Sequence, residues 1–249
     1  MKKNIYNISL PNIKKGVRFA LVSDLHGGDP KAVIEVLKEE TPDYILMPGD
    51  IFEVLDGTEN SVFENGMKLL TEAVKIAPTF FSMGNHEDGA TRSWSTKWKK
   101  TVKSREYNAS SIEKIRNCGV HILSDDFIVF DGIAFGGLLT GLIFEERMPD
   151  ILWLEEYCKQ PEPKVLLCHH PEYYEKYLKD LPIDLVVSGH AHGGQWRFFG
   201  RGVFAPGQGI FPEYTKGVYD NKLVVSTGLK KGIIPRFFNP TEVVIINIV

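Results

Sequence analysis

Val17-Arg-Phe-Ala-Leu-Val-Ser-Asp-Leu-His26 decides the fold class, because a strand-like apolar run leads straight into an Asp-x-His pair. Similar short runs, rich in β-branched and aromatic residues, recur at 44–47, 79–83, 165–168, 185–187, 223–225 and 243–248. Helical patterns lie between several of them. One opens with Asp29 as N-cap and Pro30 at the first helical position, and others are expected at 62–76, 111–117, 152–158 and 172–178. Residues 127–135 read as a hairpin turning at Asp131-Gly132. Alternating strands and helices with added antiparallel pairing predict an α/β protein, two facing mixed β-sheets flanked by α-helices.

The composition narrows the function classes. Among 249 residues, 29 Lys plus Arg stand against 32 Asp plus Glu, a formal charge of −3, with 43% hydrophobic residues. Those figures argue against disorder, a coiled coil, or a surface built to grip nucleic acid along its backbone. No run approaches the ~18 apolar residues a bilayer crossing needs, and the apolar residues of 1–8 are broken by Asn, so no export signal is read. Three cysteines, Cys118, Cys158 and Cys168, form no C-x-x-C pair and fit reduced thiols. The expectation is one domain over 1–249, cytoplasmic, with peripheral membrane association and oligomeric state left open. Residues 91–105 depart in composition, holding two of the four tryptophans and six basic residues. They read as a solvated face, or as a cap presenting cations and aromatic rings to an anionic ligand.

The chemistry sits at strand ends. Asp24 and His26 follow the first run, Gly49-Asp50 the second, Gly84-Asn-His-Glu87 the third, His169-His170 the fourth and Gly189-His-Ala-His192 the fifth. Six of the seven histidines lie in these loops, and only His121 does not; it is read as structural. Ligands of open α/β sheets bind beyond the carboxyl ends of the strands, so five such loops can converge. Asp24, His26, Asp50, Asn85, His169, His190 and His192 supply two carboxylates, one amide oxygen and four imidazoles. This thiolate-free set suits two divalent ions, Mn²⁺, Fe²⁺ or Zn²⁺, held ~3.5–4 Å apart by a bridging carboxylate. Strand alternation separates His169 from His170; His169 is taken as the ligand and His170 as a substrate contact or packing residue.

The five strand-end groups together resemble the calcineurin-like metallophosphoesterase family over residues 17–192. Gly193-Gly-Gln195, Lys216–Tyr219 and Ser226-Thr-Gly228 ahead of Pro235-Arg236 are similar to its YkuE-like bacterial subgroup. The resemblance implies that Asp24, His26, Asp50 and His192 hold a first ion, and that Asp50, Asn85, His169 and His190 hold a second. It further implies hydrolysis of a phosphomonoester, phosphodiester or pyrophosphate by a hydroxide shared between the ions, with His86 as general acid and Glu53 as its orienting partner. Asn85, His86, His170 and Arg92 are candidate substrate contacts; Lys97, Lys99, Trp94, Trp98, Arg197 and Arg236 are further ones. The expected substrate is a phosphorylated small molecule or a lipid-linked phosphate. The alternative reading is a metal-binding scaffold of the same fold with little or no turnover.

Overall fold

A computed structural model describes residues 1–57, 59–87, 108–140, 149–230 and 235–249. In chain order the elements are β1 (Lys2–Ile8), β2 (Arg18–Leu21), α1 (Lys31–Glu40), β3 (Tyr44–Met47), α2 (Ser61–Ala73), β4 (Thr79–Ser82), α3 (Ala109–Asn117) and β5 (His121–Leu123). Then follow β6 (Asp126–Phe130), β7 (Ile133–Leu138), α4 (Leu154–Cys158), β8 (Lys164–Cys168) and β9 (Leu185–Ser188). Four two-residue strands come next: β10 (Arg197–Phe198), β11 (Arg201–Gly202), β12 (Phe204–Ala205) and β13 (Gly209–Ile210). The last three are β14 (Gly217–Tyr219), β15 (Leu223–Val225) and β16 (Glu242–Ile248).

Two six-stranded sheets result, ordered β1-β16-β2-β3-β4-β5 and β14-β15-β9-β8-β7-β6. Strands β2 to β5 are mutually parallel, as are β7, β8, β9 and β15, while β16 runs against β2, β6 against β7 and β14 against β15. The period of two decides the layering. In β2, Phe19 and Leu21 join a core with Leu46, Phe135, Val165 and Val187 of both sheets, whereas Ala20 turns to the opposite face. There it packs with Val33 and Leu37 of α1 and Leu69 and Leu70 of α2. Leu166 and Val186 of the other sheet face away from the shared core, toward Leu154 and Tyr157 of α4. The order helix, sheet, sheet, helix is the expected four-layer sandwich.

Several boundaries differ from expectation. Helix α1 starts at Lys31, with Pro30 in the cap position; Asp29 Oδ1 accepts a bond from Lys31 N at 3.0 Å, so the capping oxygen comes from one residue earlier. The 62–76 helix stops at Ala73, and 172–178 forms only a π-helical turn over Tyr174–Leu178. The hairpin turn stands where it was read, with Asp131 at φ 48° and Gly132 at φ 76°, the signs a tight two-residue turn requires. Strand β1 was not foreseen. It is an edge strand in which only Tyr6 and Ile8 reach the core while its other residues are partly or fully exposed, and it adds parallel to β16 from Lys2↔Glu242 to Ile8↔Ile248. His121 opens β5 and stacks on Phe80, ring centroids 5.0 Å apart, a packing role. Segment 91–105, with Arg92, Trp94, Lys97, Trp98 and Lys99, lies outside the described residues.

Candidate metal centre

Because β2, β3, β4, β8 and β9 are parallel within their sheets, their carboxyl ends all open at one edge of the sandwich. Backbone bonds then lock the loops together. Asp24 N donates to Gly49 O at 3.1 Å, His26 N to Asp50 O at 2.9 Å, and Gly189 N to His169 O at 3.2 Å. Side chains cross between the sheets: His190 N donates to Asp24 Oδ1 at 2.9 Å, and His169 Nε2 lies 3.1 Å from Asp50 Oδ2. Gly84 and Gly189 make these approaches feasible, since a Cβ at either would collide with the carboxylate of Asp50 or Asp24.

Among the described residues four close donor groups occur. His26, Glu53 and His86 form one and His170, Glu172 and His190 another, and the predicted Asp and His ligands make up the remaining two, which adjoin. Ligand atoms of Asp24, His26 and His192 lie within 4.8 Å of one another, and so do those of Asp50, His169 and His190. Between the groups, His26 Nε2 is 3.5 Å from Asp50 Oδ2. Asp24, His26, Asp50, His190 and His192 all have φ between 46° and 61°, a region that side-chain-bearing residues seldom occupy and that stores strain at functional sites. Asp24 Oδ2, His26 Nε2, Asn85 Oδ1 and His169 Nε2 are buried and lack a hydrogen-bond partner. Buried polar atoms left so are costly, and a cation would satisfy all four. The donor chemistry fits divalent ions of the Mn, Fe or Zn kind.

Hydrogen bonds select which nitrogen faces the centre. His169 Nδ1 lies 2.8 Å from Pro48 O, and a carbonyl only accepts, so Nδ1 carries a proton. Burial opposes a second one, but the charge of Asp50 beside Nε2 raises the ring to about 10, and a cation bound there would take the place of the Nε2 proton. Burial drives His190 well below its ordinary pKa, helped by the charges of His170 and His169, and burial brings His192 down to about 4. Both imidazoles are therefore neutral at pH 7, as metal ligation requires. Burial alone would raise Asp50, but the charge and hydrogen bond of His169, with His86 and His26 behind it, hold its carboxyl well below the usual range. Glu87 behaves oppositely. Burial, and then the charge of Asp50, push it up to about 7 despite bonds from Asp50 N at 2.8 Å, Phe52 N at 2.9 Å and Gly84 N at 2.8 Å. Glu87 thus ties the Asp50 loop to the Asn85 loop and takes no place among the donors.

His86 and Glu53 meet, though not as expected. The Glu53 carboxylate bonds His26 Nδ1 at 2.8 Å and stands 3.4 Å from His86 Nδ1, whose hydrogen bond goes instead to the Glu53 carbonyl at 3.2 Å. The Glu53 side chain reaches past His86 to orient His26, and that bond leads the causes holding Glu53 down at about 2. His86 N donates to Asp50 Oδ1 at 3.0 Å, and burial lowers the His86 ring against the opposing charges of Asp50 and Glu53. The alternation argument for His170 fails, because β8 ends at Cys168 and both histidines lie beyond it. The His170 ring sits 4.0 Å from that of His190, its Nδ1 is 3.0 Å from Glu172 Oε1, and its Nε2 is buried without a partner.

Three further residues complete the rim. Lys230 Nζ lies 3.3 Å from His26 Nδ1 and 3.5 Å from Glu53 Oε2. Arg236 donates to Thr227 O at 2.7 Å and lies 3.2 Å from His192 Nδ1, and Asn239 Nδ2 donates to His192 O at 2.7 Å. Lys230 and Glu172 escaped the sequence reading. The rule that found the other loops applies to Lys230 too, since β15 is also parallel to its neighbour and also ends at this edge.

A four-layer α/β sandwich with His, Asp and Asn donors grouped at one edge defines a protein of the metallophosphoesterase type. The chain belongs to the calcineurin-like phosphoesterase family, whose model matches residues 17–194. It is 27% identical to an uncharacterised metallophosphoesterase of Campylobacter jejuni over 97% of this chain and 62% of that one. It is 31% identical to the phosphodiesterase YaeI of Escherichia coli over 64% of this chain and 52% of that one. Its identity to the uncharacterised metallophosphoesterase YkuE of Bacillus subtilis is 26%, over 95% and 80% of the two chains. The chain thus spans about three fifths of the Campylobacter relative's length. Among the described residues, no helix is long and apolar enough to cross a membrane.

Proposed function

We propose that the chain is a dinuclear metal-dependent phosphoesterase. One observation carries this reading: two donor groups share the edge of Asp50, and their buried donor atoms lack partners. Asp24, His26 and His192 would complete one ion position, Asn85, His169 and His190 the other, with Asp50 common to both. Two bound cations would activate water for attack and draw charge from the phosphoryl oxygens. The protein's own groups do the rest. Glu53 fixes His26, Pro48 O fixes His169, and Glu87 holds the Asp50 and Asn85 loops in register.

His86 is the proton donor of this reading. Its Nδ1–H is taken by the Glu53 carbonyl, so Nε2 is the atom that hands a proton to the leaving oxygen. Because burial lowers its pKa, the protonated form needs the negative field of Asp50, Glu53 and the bound phosphate. Lys230 and Arg236 place two cations on the rim for the anionic ester. A cleft of about 280 Å³ opens beside His26 between Leu25, Val33 and Leu229, with room for part of the alcohol moiety. The substrate is a phosphomonoester, phosphodiester or pyrophosphate of a small molecule or lipid.

Protein loaded with Mn²⁺ should hydrolyse an aryl phosphomonoester or phosphodiester, and chelation should abolish that activity. Full hydrolysis by the metal-free protein would overturn the proposal. Metal binding with no turnover on monoesters, diesters or pyrophosphates would instead favour the scaffold reading.

A further inference from the structure

Two surface segments beside the metal centre expose apolar side chains that a water-soluble rim does not need. Phe198 and Phe199 turn out at the end of β10, Ile210 and Phe211 at the end of β13, and Phe237 and Phe238 in the loop before β16; all six are exposed. The first and last pairs share one surface, since Arg197 N donates to Phe237 O at 3.0 Å, the Trp196 indole to Pro235 O at 3.0 Å, and the Phe198 and Phe238 rings lie 6.1 Å apart; Phe211 lines a cavity with Arg197, Gly200 and Arg201 of the same segment. This surface adjoins the candidate centre: Arg236 and Asn239 contact His192, and Arg197 Nη1 donates to Gly193 O at 2.9 Å.

Backbone conformation sharpens the point. Phe199, Phe211 and Phe238 have φ of 49°, 53° and 52°, the left-handed region that glycine or asparagine occupies with least strain. Phe199 is fully exposed, and Phe211 and Phe238 are 75% and 80% exposed. Neither local propensity nor burial among the described residues accounts for a bulky ring at three strained, solvated tips, and such rings suit an external apolar partner.

Charge indicates the partner's chemistry. Residues 193–212 and 235–241 contain no acid and hold Arg197, Arg201 and Arg236, with Lys230 beside them; the acids Glu213 and Glu53 face these cations, in a chain whose net charge is −3. A second copy docked about a two-fold axis would set these cations against their own images, an unfavourable pairing. An anionic lipid surface satisfies both features, taking the rings below its headgroups and the cations at their level. We propose that this aromatic and basic surface docks the protein on anionic membranes, presenting the metal centre to phosphates at the headgroup plane. The proposal stands whether or not the centre hydrolyses them.

Flotation of the full chain with phosphatidylglycerol-containing vesicles tests it, with phosphatidylcholine vesicles and rising salt as comparisons. The protein should float with the anionic vesicles, less with the neutral ones, and less as salt increases. Phe199→Gly together with Phe238→Gly should cut the bound fraction about tenfold while raising the thermal midpoint, since glycine relieves both positive φ angles. A loss of structural integrity would lower that midpoint instead, and Phe199→Ser with Phe238→Ser gives a second test of binding without the backbone change. Absence of flotation, equal binding to neutral vesicles, or flotation unaffected by both double variants would overturn the proposal. So would a lipid-free dimer, seen by sedimentation velocity, that the same substitutions dissolve.

Discussion

The candidate metal centre and the aromatic surface beside it are both inverted, in opposite senses. At the sheet edge, polar atoms of Asp24, His26, Asn85 and His169 are buried without hydrogen bonds. A few residues away, Phe199, Phe211 and Phe238 meet solvent. Both regions hold non-glycine residues at positive φ, and the strain in both is supported by the rigid sandwich beneath. Each inversion signals a missing partner, and its polarity says which: oxygen and nitrogen lone pairs call for cations, exposed rings for an apolar phase. The buried site should therefore respond to metal and the exposed one to lipid, each with little effect on the other.

The largest expected effect concerns the buried side. Asp50→Asn removes the charge shared by both donor groups and should reduce Mn²⁺-dependent hydrolysis by about 10³-fold or more, with the far-ultraviolet dichroism unchanged. Hydrolysis persisting near the parent rate would break the link between Asp50 and the centre. His86→Ala should leave metal stoichiometry intact and slow turnover by ~10²–10⁴-fold for poor leaving groups. An equal slowdown for good leaving groups would show that His86 has another role.

Divalent metal should also stabilise the fold. At 100 times its dissociation constant an ion bound only by the native state adds about 2.7 kcal/mol, and at about 2–4 °C per kcal/mol for this size the midpoint rises by about 5–10 °C. Calorimetry with and without chelator reads this directly, and an unchanged midpoint would deny that the orphaned donors bind cations. On the exposed side, Phe199→Gly should stabilise the lipid-free protein by about 1 kcal/mol, a midpoint gain of about 2–4 °C, by relieving its positive φ. A decrease would mean that the ring supports the fold.

The smallest effect lies away from both regions. Burial lowers the pKa of His121 from its ordinary 6.5, so the neutral ring is favoured in the fold. The unfolded chain then binds more protons below that pH, and this contribution to stability is lost as pH falls. His121→Phe, which keeps a ring on Phe80, should lessen the acid-side decline in thermal midpoint between pH 7 and pH 5. An unaltered decline would assign the effect elsewhere.

Legibility in the sequence tracks the range of the interaction. Runs such as 44–47 and 223–225 coincide with β3 and β15, because a fully buried strand needs every residue apolar and leaves a continuous signal. Strand β1 leaves none, since its bonding to β16 is made by backbone groups that any sequence carries. The strands β10 to β13 are two residues long, too short for a period to show. At the candidate site, the seven proposed donors are visible because acids and histidines cluster after apolar runs. The partners that orient them are not: Pro48 O and the Glu53 carbonyl are backbone atoms, and Lys230 lies 204 residues from His26.

Sequence alone determined the alternation of elements, the placement of chemistry at strand ends and the family, because continuous apolar runs and short motifs are local properties of the chain. Tertiary structure decided that Glu53 serves His26 before His86, that His170 flanks the centre with His169, and that scattered apolar residues form one exposed surface. Those outcomes depend on which loops two separate sheets bring within a few ångströms, and on whether a phenylalanine faces core or solvent, neither of which a linear pattern encodes.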